Sequence, residues 1–125
     1  MSSLIAAGET FDGTWPYTAH YGEAAGFRQH YADEGPQDPE HTLVLLHGEP
    51  TWGYLWRHLI GALSQRNRVI VPDHMGFGKS ATPSDRTYLA GEHVDNLDTF
   101  PKRSKPGTRT TWTLPWPIFR TQQST

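Results

Sequence analysis

Leu43-Val44-Leu45-Leu46-His47-Gly48-Glu49-Pro50-Thr51-Trp52 sets the reading of this chain. Four contiguous apolar residues, rather than an alternating pattern, describe a strand buried on both faces, as at the centre of a parallel or mixed sheet. Gly48 then allows a sharp turn and Pro50 stiffens it. After the turn, Trp52, Leu55, Trp56, Leu59, Ile60 and Leu63 recur at helical spacing, which predicts an amphipathic helix over Trp52 to Gln65 with Thr51 as its N-cap. Arg68 to Val71 is a second buried strand. Strand, helix and strand in this order form a βαβ crossover, so the expected class is α/β.

Upstream, Tyr17 to Glu23 and Phe27 to Asp33 each alternate, and a short Gly-rich spacer separates them. They are expected to pair as antiparallel strands near a sheet edge. Downstream, Pro72 to Ser80 is a Gly-rich turn. Gly91 to Phe100 places Val94, Leu97 and Phe100 on one side of a short helix. Residues 17–100 therefore read β-β-β-α-β-loop-α.

The chain has 125 residues, the size of one modest domain, and no Cys. Disulfide scaffolds and Cys-ligated metal sites are excluded. No apolar stretch is long enough to span a membrane, and Met1 to Ile5 does not resemble a signal peptide, so a cytoplasmic location is expected. The net charge of −2 is unevenly spread: residues 1–100 hold all 13 acids and 6 of the 11 Lys and Arg. Residues 101–125 hold no acid, no His, four Pro and six Thr. Five basic residues among Pro and Thr describe a solvated tail rather than a nucleic-acid surface. The expected organisation is a domain portion over 1–100 and an irregular basic tail over 101–125.

Two motifs are decoys. Gly78-Lys79-Ser80 ends like a phosphate-binding loop, but the motif's first glycine would fall at Asp73. Gly76-Phe77-Gly78-Lys79-Ser80-Ala81 fits a loose dinucleotide fingerprint, but Pro83 interrupts the helix that should follow. The seven His residues show no metal-ligand spacing, so neither a metal nor a cofactor is expected.

The strand into His47-Gly48-Glu49-Pro50, with Thr51-Trp52 and Val71-Pro72-Asp73-His74-Met75-Gly76-Phe77-Gly78-Lys79-Ser80, resembles the first part of an α/β-hydrolase. Haloalkane dehalogenases are the nearest likeness, and epoxide hydrolases share a looser form of the turn. The resemblance covers about residues 17–100. It implies that the amide of Glu49 stabilises an oxyanion, with its side chain near the halide, and that Trp52 lines the same loop. His47, Gly48 and Pro50 would shape the turn. The plainer alternatives are a rigid strand-to-helix connection at Glu49 and a packing role for Trp52 in the helix face. Asp73 and Gly76 to Ser80 read as a structural turn.

The family reaction cleaves a carbon–halogen bond through an Asp ester that a His-activated water then hydrolyses. After Phe100 there is no Asp, Glu or His to supply these parts, and no G-x-S-x-G occurs. No catalytic residue is identifiable. The resemblance implies the strand order 1-2-4-3-5-6-7-8, of which four strands and two helices are expected here, leaving Leu43–Leu46 at an exposed edge prone to self-association. Pro115 and Pro117 make it awkward for the tail to add a strand there. The chain is thus expected to be a truncated, inactive hydrolase fragment, with residues 101–125 the frame-shifted or truncated end of a longer hydrolase gene. Translating the other two frames past that codon tests this. The alternatives are a non-catalytic remnant or interaction module needing a complementary chain, and an epoxide hydrolase-like fragment. A haloalkane would be the substrate if the site were assembled.

Overall fold

The computed structural model describes residues 3–36, 39, 41–48, 51–98, 109–113 and 122–124. The strands are β1 (His20–Gly22), β2 (Gln29–Glu34), β3 (His41–Leu45), β4 (Arg68–Pro72), β5 (Arg109–Thr113) and β6 (Gln122–Ser124). The helices are α1 (Arg57–Leu63), preceded by a 3-10 turn over Gly53–Trp56, and α2 (Ala90–Asp98). One sheet contains all six strands in the order β1-β2-β4-β3-β5-β6. β1 and β2 are antiparallel, β2 runs antiparallel to β4, and β3 runs parallel to both β4 and β5. This is the strand order that the resemblance implies, as far as β6.

The contiguous apolar runs do what their pattern requires. On one face Leu45, Val69 and Val71 join Trp15, Ala32 and Ile60 in a core. On the other, Val44, Leu46 and Ile70 pack with Tyr31, Leu97 and Trp112. Successive residues of β3 and β4 thus serve opposite faces, with α1 contributing to one core and α2 to the other.

Several of these expectations need correction. The tail is not irregular throughout: the β-branched, proline-free run Arg109–Thr113 forms β5, and Gln122–Ser124 forms β6. β3 is therefore not an edge strand. β5 pairs with it in parallel from His41↔Arg109 to Leu45↔Thr113, and the Leu46 amide extends the ladder to the Thr113 carbonyl at 2.8 Å. Pro115 and Pro117 lie outside the described residues.

The helix after the HG turn is shorter than its period suggests, because the first turn is 3-10. The tighter winding rotates side chains off the 3.6-residue stripe, so Ile60 is buried while Leu55 and Leu59 are 44% and 47% exposed. Thr51 caps no helix, since its hydroxyl donates backwards to the Gly48 carbonyl at 2.5 Å. In α2 the inward face is His93, Asn96 and Leu97, and Val94 is exposed. Phe100 lies outside the described residues.

Candidate functional site: the HG turn and its support

The HG turn leaves the carboxyl end of β3, next to the end of β4. His47 is 2% exposed. Its Nδ1 lies 2.8 Å from the Gly48 carbonyl, and its Nε2 accepts the His74 amide at 2.8 Å. In return, His74 Nε2 lies 2.9 Å from the His47 carbonyl. The Gly48 carbonyl also accepts the Thr51 amide at 3.0 Å as well as the Thr51 hydroxyl. Three donors thus hold one carbonyl at the start of the turn. Glu49 and Pro50, the two remaining residues of the predicted turn, lie outside the described residues.

Behind the turn sits Asp73, fully buried. Its Oδ2 accepts His30 Nδ1 at 2.8 Å and the Lys79 amide at 2.9 Å, and its Oδ1 accepts the Gly53 amide at 2.7 Å. One carboxylate joins β2, the residue that opens the 3-10 turn, and the Gly-rich turn after β4. Ser80 completes the closure: its hydroxyl donates to the Asp73 carbonyl at 2.8 Å and accepts the His30 amide at 2.9 Å. The segment 73–81 is therefore a folded-back turn whose polar groups tie it to β2 and to the 3-10 turn. Gly78, at φ +54°, is needed there, because a Cβ would lie 2.4 Å from Asp73 Oδ2.

Trp52 is placed among aromatic rings. Its ring lies 5.1 Å from Trp15, 5.4 Å from Tyr54 in a stacked pair and 5.7 Å from Phe11. The ring joins the N-terminal segment to the helical turn. Lys79, 1% exposed, ties down the same segment by donating to the carbonyls of Ala7 and Glu9 at 2.7 Å each. Burial lowers its pKa, opposed by the charges of Asp73 and Glu9.

His30, His74 and Lys79 are functional to this framework and were not distinguishable in the sequence from surface residues. The alternation in β2 carried the one usable signal, since it put His30 opposite Tyr31. His74 is largely buried, and its pKa is lowered to about 4 by burial and by neighbouring His47, opposed by the hydrogen bond to the His47 carbonyl. Among the described residues, no group of three or more His, Cys, Asp or Glu is arranged to hold a metal ion, and no helix is long and apolar enough to cross a membrane.

The half-sheet, with the HG turn at the carboxyl end of a central parallel strand, defines a class: this chain belongs to the alpha/beta hydrolase fold family, whose sequence profile matches residues 41–118. Within that class it is similar to a haloalkane dehalogenase from Mycolicibacterium paratuberculosis, 47% identical over 88 residues, covering 65% of this chain and 29% of the relative. It is also similar to a cis-3-alkyl-4-alkyloxetan-2-one decarboxylase from Xanthomonas campestris, 50% identical over 80 residues, covering 58% of this chain and 26% of that protein. Among solved structures it matches a haloalkane dehalogenase from Paraglaciecola agarilytica, with a TM-score of 0.65, 39% identity, and coverage of 69% of this chain and 31% of that one. An epoxide hydrolase matches with a TM-score of 0.58 and 34% identity over 66% of this chain and 28% of that one. The chain is haloalkane dehalogenase-like over this region, and it spans under a third of the length of these relatives.

Proposed function

We propose that this chain is the turn-bearing portion of a hydrolase that cleaves carbon–halogen bonds through an Asp ester, and that these 125 residues do not perform the reaction unaided. The observation that carries the reading is the Gly48 carbonyl held by three donors at the end of β3. A trans peptide unit keeps its N–H opposite its C=O, so a turn that fixes a carbonyl also limits the direction of the donor that follows it. In α/β-hydrolases a donor from this loop stabilises the oxyanion, a contribution of about 3–4 kcal/mol per donor in an assembled site. Glu49 is the residue proposed for that role. The nucleophile and the water-activating His are not supplied by residues 101–125, which contain no Asp, Glu or His.

A second reading follows from the 50% identity to the oxetan-2-one decarboxylase. The turn would then face a lactone instead of a haloalkane. The epoxide hydrolase neighbour supports a third substrate class on the same scaffold.

The test offers purified chain a bromoalkane, an epoxide and a cis-3,4-dialkyl-oxetan-2-one, measuring bromide, diol and carbon dioxide. None is expected to be released above background. The assay is then repeated with the remaining two-thirds of the M. paratuberculosis dehalogenase supplied as a separate chain. Bromide release only in the mixture supports the proposal. Turnover by the chain alone overturns it, and carbon dioxide release in the mixture favours the second reading.

A further inference from the structure

The rings of His47 and His74 lie 4.2 Å apart between centroids, and each is hydrogen-bonded to the other's main chain. Main-chain groups cannot exchange donor and acceptor roles, so they dictate the tautomers. The His74 amide donates, so His47 Nε2 must offer its lone pair and the ring proton sits on Nδ1, where it donates to Gly48. The His47 carbonyl only accepts, so His74 carries a proton on Nε2. Two rings of opposite tautomer close on each other across the ends of β3 and β4.

We propose that His74 is a positioning residue for the HG turn, acting through His47 in a two-histidine clasp that holds while both rings are neutral. The inference goes beyond the proposed function and needs no activity to be tested.

The chemistry of the pair explains the condition. A proton on His47 Nε2 would point at the His74 N–H, donor against donor, and the bond between the two strand ends would be lost. A proton on His74 Nδ1 would place a cation in a largely buried site. Among the described residues, the titratable groups facing His74 are His47 from the end of β3, His93 from α2 with ring centroids 5.4 Å away, and Asp73 from its own segment. Burial disfavours that charge first; His47 and His93 repel it once they are themselves protonated, and Asp73 attracts it. Phe77 covers His47 edge-on, 5.7 Å away, and adds no acceptor. His47 and Gly48 begin the turn, so what releases this ring pair releases the turn's first carbonyl.

The test uses the full chain and two variants. Histidine ring nitrogen shifts in the labelled parent at pH 7.5 should show His47 as the Nδ1–H tautomer and His74 as the Nε2–H tautomer. Exchanging tautomers at either ring, or the opposite assignment, overturns the proposal whether or not a variant folds. H74Q keeps a donor at the reach of Nε2 but cannot be charged, and H74L keeps only bulk. In urea at pH 7.5, H74Q should unfold at the parent's midpoint and H74L below it. Between pH 7.5 and pH 5 the parent's unfolding constant should rise about 30-fold more than that of H74Q. A purely space-filling role predicts that H74L matches the parent, and a pH slope shared by H74Q and the parent would remove His74 as the ring that titrates; either result overturns the clasp.

Discussion

His30 Nδ1 lies 2.8 Å from Asp73 Oδ2, with both side chains fully buried, and this bond joins β2 to the segment that follows β4. Asp73 also holds the Gly53 and Lys79 amides, so every oxygen of the carboxylate faces a donor. Asp73→Asn should therefore be severe although it is nearly isosteric. Whichever way the amide turns, its NH₂ meets at least one N–H. The expected loss is about 2–4 kcal/mol of unfolding free energy, read by urea denaturation.

Two glycines give opposite expectations for the same substitution. Gly78→Ala would bring Cβ to 2.4 Å from Asp73 Oδ2 and 2.7 Å from the Trp52 Cβ, at φ +54°. It should cost about 2 kcal/mol or more, from strain and from displacing Asp73. Gly61, inside α1, has no atom within 4 Å of where its Cβ would stand. Gly61→Ala should stabilise by about 0.5–1 kcal/mol, seen as a higher urea midpoint.

Trp52 provides a test of packing against binding. Trp52→Ala removes a ring that touches Trp15, Tyr54 and Phe11, and should cost about 2–4 kcal/mol. Trp52→Phe keeps a ring in the cluster and should cost about 1 kcal/mol. Near-ultraviolet circular dichroism should lose its aromatic signal in the first variant and largely keep it in the second.

Lys79→Met should leave the sheet folded but free the N-terminal segment. The variant keeps the aliphatic stem and loses both bonds to the Ala7 and Glu9 carbonyls. Limited proteolysis should then cut within residues 3–14 at least several-fold faster, with the cleavage rate after residue 17 unchanged.

Acid should weaken the fold through His74. Its folded pKa of about 4 lies below the ordinary 6.5, so the unfolded chain takes up the proton first. Stability from this group is complete above pH 6.5 and is lost as the pH falls toward 4, to a limit of about 3 kcal/mol. Thermal melting between pH 7.5 and pH 4.5 measures the slope, and H74Q should flatten part of it.

The amino-acid order alone was enough for the α/β class, for β3 and β4 as doubly buried strands, and for the hydrolase likeness of the HG turn. These depend on local pattern: a contiguous apolar run has two faces to bury wherever it sits. The turn after β4 was likewise legible as structural, since Pro83 denies it a following helix. Long-range partners were not legible. Nothing in the order of residues singles out His30 as the partner of Asp73, 43 positions away, or His74 as the partner of His47, 27 positions away. The buried face of the first helix also escaped the periodicity, because a 3-10 start changes the angle per residue. The same holds for β5, whose five residues carry no apolar run and become a strand because β3 offers an unpaired edge. Hydrogen-bond partners and strand neighbours are properties of position in space, and only the folded chain assigns them.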